Sequence, residues 1–116
     1  MNFLVIGSTG YIGSILCKHL VSLSHKVIGL DNFSTGFESH TKYGSHFKGD
    51  YTNEDDLDKI IKSGGPFDCV FHLGGFSQVS ESVNFPDKYY KNNVAGTITL
   101  LSKITEYKIP YLIFSS

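Results

Sequence analysis

The chain contains no arginine: all ten of its basic residues are lysines, spread from Lys18 to Lys108 without clustering. Against 11 acids they leave a formal net charge of -1, so the basic face that nucleic acid would require is missing. No apolar run approaches the roughly 18 residues of a membrane span. The opening Met1-Asn2-Phe3-Leu4 lacks a charged leader region, so no signal peptide is expected and a cytoplasmic location is. Cysteine is scarce as well. Cys17 and Cys69 each sit among apolar residues, which points to buried free thiols rather than a disulfide or a redox pair. The five histidines show no metal-ligand spacing, so no metal site is expected.

What remains is an ordinary globular composition, 41% hydrophobic and 18% charged, in a chain long enough at 116 residues for one domain with a real core. Four short apolar runs, at 3–6, 27–30, 69–73 and 111–114, are continuous rather than alternating. Strands covered on both faces of a parallel sheet read this way. Between the first two runs, Ile12, Ile15, Leu16, Leu20 and Leu23 recur at helical spacing, completing a strand–helix–strand unit. A weaker strand is predicted at 46–48. It is followed by a helix that Asn53 caps, with Glu54, Asp55 and Asp56 in its first turn and Leu57, Ile60 and Ile61 facing inward. Gly64-Gly65-Pro66 ends that helix. The longest helix is predicted to start at Pro86 and to carry Tyr90, Val94, Ile98, Leu101 and Ile104 on one stripe, with Pro110 closing it. Residues 32–45 read as a polar loop. Alternating strands and helices imply an α/β fold, a doubly wound parallel sheet of order 3-2-1-4-5, with a ligand crevice at the ends of strands 1 and 4.

Gly7-Ser8-Thr9-Gly10-Tyr11-Ile12-Gly13 joins the first strand to the first helix. In a Rossmann-type unit the first glycine permits the tight turn and the second lets a pyrophosphate reach the backbone. The third packs helix on strand, and free N–H groups at the helix start meet the phosphate charge. Asp31 ends the next strand, 18 residues after Gly13, where an acid can hold ribose hydroxyls. An acid there, with no arginine to take a 2′-phosphate, favours NAD over NADP. Asn92 and Asn93 are poor helix formers inside a helix, so a ligand or a cross-element hydrogen bond is the better explanation for them. Leu73-Gly74-Gly75 ends a buried strand at the crevice, where paired glycines allow close approach of a cofactor. His72, inside that strand, reads as a satisfied core histidine.

The glycine spacing, GxxGxxG, resembles that of the extended short-chain dehydrogenase/reductases, and the rest of the chain resembles their NAD-dependent epimerase/dehydratase family, the UDP-glucose 4-epimerases most closely. Asp31-Asn32-Phe33-Ser34-Thr35-Gly36 is similar to their adenosine-wrapping segment, and Gly49-Asp50-Tyr51 to the residues that contact the adenine edge. Residues 68–75 are similar to their fourth-strand motif, and 81–86 with 89–97 to the segments beyond that strand. The resemblance implies NAD as cofactor. It implies cofactor contacts from Gly7, Gly10, Tyr11, Ile12, Gly13, Asp31 through Gly36, Asp50, Tyr51, Leu73, Gly74, Gly75, Ser77, Asn92 and Asn93. It further implies a nucleotide-sugar substrate and a homodimer in the intact family, with no nucleic-acid or membrane partner. Where UDP-glucose 4-epimerases have a lysine after the fourth strand this chain has Ser77, which leaves the sugar nucleotide open.

The resemblance also implies a tyrosine general base with a lysine four residues on. Four residues beyond Tyr11, Tyr43, Tyr51, Tyr89, Tyr90, Tyr107 and Tyr111 stand Ile15, Phe47, Asp55, Asn93, Val94, Tyr111 and Ser115. No catalytic residue is therefore assigned. Residues 1–116 are expected to be the NAD-binding Rossmann portion of an epimerase, cut after the fifth strand, without the substrate domain and inactive alone. A non-catalytic NAD-binding module, or part of a sugar-nucleotide dehydratase or decarboxylase, stays open beside it.

Overall fold

The computed structural model describes residues 1–32, 43–74, 87 and 90–114, with the side chains of residues 90–92 left aside. The elements in chain order are β1 (Asn2–Ile6), α1 (Tyr11–Ser22), β2 (Lys26–Asp31), β3 (Ser45–Lys48), α2 (Glu54–Gly64) and β4 (Cys69–His72). A π-helical turn (Tyr90–Ala95) then runs directly into α3 (Gly96–Glu106), and β5 (Tyr111–Phe114) comes last. The five strands form one parallel sheet in the order β3-β2-β1-β4-β5, as the alternation of elements predicts. The predicted helix start at Pro86 lies outside the described residues.

Strand alternation divides the core between the two faces of this sheet. Leu4 and Ile6 of β1 join Ile28, Leu30 and Val70 under α2 and α3, meeting Leu57, Ile60, Ile61, Leu100 and Ile104. Phe3 and Val5 point the other way, with Val27 and Cys69, toward Cys17 and Leu20 of α1. β1, β2 and β4 are thus apolar on both sides, which accounts for three of the continuous runs in the sequence. The fourth run, 111–114, forms the edge strand β5, where Tyr111, Ile113 and Phe114 are exposed, so it is not covered on both faces as its continuity predicts. Both cysteines are free and buried, and burial pushes the Cys17 thiol up to about 11. The cap on α2 forms as expected, Asn53 Oδ1 accepting from the Asp56 N–H at 3.1 Å.

Two helices bury only part of the stripe their spacing predicts, Leu20 with Leu16 beside it in α1 and Ile104 in α3. In α1 the buried residues are Gly13, Cys17 and Leu20, while Ile12, Ile15 and Leu23 are exposed. The cause is Gly13, which lies so close to the backbone of Gly7 that it sets the rotation of the whole helix. In α3, Leu100 and Ile104 are buried together with Lys103, while Ile98 and Leu101, and Val94 in the turn before it, face outward. Within this regular helix the inward set is Gly96, Leu100, Lys103 and Ile104, at spacings of four, three and one, and a lysine holds one of the places that hydrophobicity alone would not give it.

Lys103 is buried because partners await it. Its ammonium lies 3.0 Å from Asp58 Oδ1 on α2 and 3.1 Å from Glu106 Oε2, and the Tyr107 hydroxyl donates to Asp58 Oδ1 at 2.8 Å. The Tyr107 hydroxyl, with Lys103 next, holds the Asp58 carboxyl below the usual carboxylate range. A carboxylate depressed in the folded state stabilises above its unfolded pKa and loses that contribution as pH falls through the folded one. Tyr107→Phe is therefore expected to lower Tm at pH 7, with a deficit that shrinks as the solution is acidified below about pH 4. A deficit that is constant from pH 7 to pH 3 would separate Tyr107 from the Asp58 charge.

Candidate functional site

The strand order reverses at β1, whose neighbours β2 and β4 run on into loops on opposite sides. Such a switch point opens a crevice at the carboxyl ends of the strands. Gly7 makes the turn out of β1 with φ +83, a conformation that side chains other than glycine's rarely adopt. Its N–H donates to the Leu30 carbonyl at 2.8 Å, and the Leu73 N–H donates to the Ile6 carbonyl at 2.9 Å. A Cβ on Gly7 would stand 2.6 Å from the Leu73 carbonyl oxygen, so the loops after β1 and β4 touch through this residue.

Gly10 caps α1 without contributing any side-chain hydrogen bond, and no acid occupies the first turn. The first N–H groups of a helix have no acceptor within it. In α2 the same groups are served by Asn53 and offset by three acids. In α1, among the described residues, no side chain serves them and no acid faces them. A Cβ on Gly10 would meet nothing nearer than the Gly7 carbonyl at 3.4 Å, so the approach to this helix end is open. Tyr11 and Ile12 are exposed beside it, whereas Gly13 faces inward and does the packing expected of the third glycine.

Asp31, at the end of β2, accepts from the Thr9 N–H at 2.9 Å, which fastens the glycine loop to the acid. A small open cleft lies alongside, lined by Gly7, Asp31, Asn32, Asp50, Tyr51 and Gly74. Six residues singled out from separate stretches of sequence therefore share one cavity. Gly49, read with Asp50 and Tyr51 in the sequence, lines it too, as do Ile6 and Leu30, which were not named as contacts. The only signal of those two is position, since they are the last apolar residues before Gly7 and Asp31.

Two of the singled-out side chains have internal work. Asp50 Oδ1 accepts from both the N–H and the hydroxyl of Thr52, at 2.9 and 2.7 Å, closing a short turn. Tyr51 is buried, its ring edge-on to His72 at 4.6 Å and its hydroxyl bonded to the Thr97 side chain. Burial first, with a smaller push from the Asp50 charge, raises that phenol to about 12. Gly74 lies against the same ring, at 3.2 Å from its expected Cβ position.

His72 is the core histidine that its place in a strand suggests, 2% exposed and pushed down to about 4 by burial. The Gly74 N–H donates to its Nδ1 at 3.3 Å. A backbone N–H cannot accept, so Nε2 carries the proton and donates to Thr97 Oγ1 at 3.0 Å. Thr97 in turn donates to the Asn93 carbonyl at 2.7 Å. This chain of bonds ties the end of β4 to the π-helical turn and gives Asn93 its cross-element connection through the main chain. Leu73 packs on the α1 side of the core. Phe33, Ser34, Thr35, Gly36, Gly75 and Ser77, and the side chain of Asn92, lie outside the described residues. Among the described residues no helix is long and apolar enough to cross a membrane.

Comparison with known proteins agrees with this architecture. Residues 3–116 match the model of the NAD dependent epimerase/dehydratase family. The UDP-glucose 4-epimerase of Streptomyces lividans is 42% identical over 116 residues, and that of Rhizobium meliloti 38% over 115. The chain spans about 35% of the length of each. Two solved UDP-glucose 4-epimerases with NAD superpose closely, from Brucella ovis with TM-score 0.93 at 36% identity and from Thermus thermophilus with 0.95 at 28%. The alignments cover 99% and 100% of this chain, and 35% and 37% of those structures. With its glycine loop, switch-point cleft and strand order in place, the chain belongs to the NAD dependent epimerase/dehydratase family.

Proposed function

We propose that this chain is the NAD-binding portion of a cytoplasmic sugar-nucleotide epimerase of the UDP-glucose 4-epimerase type. The observation that carries the reading is the pairing of two complementary features on one loop. The end of α1 offers unserved N–H groups behind an open Gly10, and Thr9 binds that loop to the Asp31 carboxylate. A pyrophosphate fits the first, and ribose hydroxyls fit the second. Asp31, with no arginine anywhere in the chain, disfavours a 2′-phosphate and so selects NAD. Gly49, Asp50 and Tyr51 close the adenine side of the cleft, and Gly74 its β4 side.

When bound in such an enzyme, NAD supplies a hydride acceptor that oxidises a sugar carbon and then returns the hydride to the other face. The residues described here bind and orient. Asp31 and the helix end hold the adenosine diphosphate half, and the buried Tyr51–His72–Thr97 cluster supports the floor beneath it. None of the seven tyrosines has a lysine four residues on, so no residue of this chain is assigned to proton transfer. The exposed Val94 in the π-helical turn and Ile98 and Leu101 on α3 suit pairing with a second copy in the whole protein.

Calorimetric titration with NAD tests the cofactor reading. Binding weaker than micromolar is expected for this chain, since the residues described serve the adenosine and pyrophosphate half of the cofactor. Asp31→Ala is expected to abolish it, since both the ribose acceptor and the anchor of Thr9 are lost. Unchanged affinity in that variant would remove Asp31 from the site, and submicromolar binding by the parent chain would mean a more complete site than the one described.

A further inference from the structure

Gly29 occupies the middle of β2, where glycine weakens a strand unless something needs the space. It is paired with Val5 on one side and His46 on the other. A Cβ there would stand 2.4 Å from Ser8 Oγ, 2.5 Å from Ser8 Cβ and 2.5 Å from His46 Nδ1. The space is filled by a hydrogen bond between two side chains that belong to different strands' ends. Ser8 Oγ lies 2.9 Å from His46 Nδ1, and Ser8 is completely buried. The other ring nitrogen of His46 faces the Tyr43 carbonyl, which can only accept, so Nε2 carries the proton. In the neutral ring Nδ1 is then the acceptor and the Ser8 hydroxyl the donor.

An edge-strand residue thus reaches across β2, through the notch left by Gly29, to hold the second residue of the glycine loop. The next residue, Thr9, is held by Asp31. Two consecutive loop residues are anchored to two successive strands, immediately before Gly10 opens the helix end. Gly7 before Ser8 donates to Leu30 and Thr9 after it to Asp31, and the bond to His46 holds the Ser8 side chain between those two anchors.

We propose that His46 is a positioning residue for the cofactor site, acting through Ser8 across Gly29 to fix the path of the glycine loop. The proposal rests on the reading of the cleft as an NAD site. Its consequence is that three residues of unlike chemistry, Ser8, Gly29 and His46, form one functional unit. Gly29→Ala is the most pointed case: alanine suits an extended strand better than glycine, yet here its methyl group wedges the two partners apart.

The test uses this chain and the variants Ser8→Ala, His46→Phe, Gly29→Ala and His46→Asn. NAD affinity is read by calorimetry, and exchange of the Thr9 and Gly10 amides by NMR. Each of the first three is expected to weaken NAD binding about three- to tenfold, as for one lost hydrogen bond, and to speed exchange of both amides. His46→Phe added to Ser8→Ala should weaken binding no further, because the contact is already gone. His46→Asn, whose side-chain oxygen can take the place of Nδ1, should recover most of the affinity. Multiplicative effects in the double variant, or a lowered Tm with unchanged affinity, would overturn the proposal. Should Gly29→Ala fail to fold, the comparison of His46→Phe with His46→Asn decides in its stead. If the parent chain does not bind NAD, the cofactor reading fails, while amide exchange still judges the tether. Unchanged exchange in Ser8→Ala and His46→Phe would then overturn it.

Discussion

Replacing Gly13 with alanine is expected to destabilise the protein by about 3 kcal/mol or more, by overpacking against backbone that cannot yield. The added Cβ would sit 2.1 Å from the Gly7 carbonyl oxygen, 2.9 Å from its carbon and 3.0 Å from Ser8 Cα. No side chain can swing aside, since every obstructing atom is main chain. Nor can the loop retreat, because Gly7 donates to Leu30 and Thr9 to Asp31. For a domain of this size the loss corresponds to a fall in Tm of roughly 10 °C or more. Gly10→Ala provides the contrast, its nearest obstruction being 3.4 Å away. Its melting should differ little from that of the parent chain, while NAD binding weakens because the methyl group stands at the open helix end. Thermal melts of both variants, with NAD titration of the second, check the pair. A Gly13→Ala variant that melts like the parent would mean α1 is not seated on the loop as described.

The second large effect lies on the acid side. Burial holds His72 down at about 4, so the folded protein keeps it neutral while an unfolded chain takes up a proton near pH 6.5. The unfolded state then binds more protons than the folded state between those values, and stability must fall as pH drops through that window. The difference in pKa corresponds to about 3 kcal/mol, fully lost by about pH 4. Geometry supplies the reason for the reluctance. A proton on Nδ1 would face the Gly74 N–H, two donors with no acceptor between them, at the end of β4. Phe114 and Tyr51 enclose the ring on two sides, so no water is at hand to compensate. Urea melts between pH 7 and pH 4 should show the decline, and His72→Gln should flatten it even though that variant starts less stable. A slope equally steep in His72→Gln would assign the acid sensitivity elsewhere. The Asp58 contribution is distinguishable, because it is lost only at lower pH.

Much of this molecule could be read along the chain. The four apolar runs, the Asn53 cap, the inward Leu57, Ile60 and Ile61, the core placement of His72 and the strand order all arise from short-range patterns. The glycine loop and Asp31 were legible for the same reason: each function needs a particular residue type at a particular distance from a strand end. The two misjudged helix faces show where such reading stops. Spacing within α1 is equally consistent with Ile12 and Ile15 inside or with Gly13 and Cys17 inside. Only the contact of Gly13 with Gly7 chooses between them. In α3 a buried lysine takes a place that hydrophobicity would never award it.

By itself, then, the sequence determined the order of elements, the parallel sheet and the glycine loop with its acid at the end of β2, because these depend on local spacing and residue type. Only the tertiary structure decided which helix faces are buried, that Tyr51 turns its hydroxyl inward, and that His46 reaches Ser8 through the gap at Gly29. Those outcomes depend on distances between residues tens of positions apart, and such distances exist only once the sheet has brought its strands together.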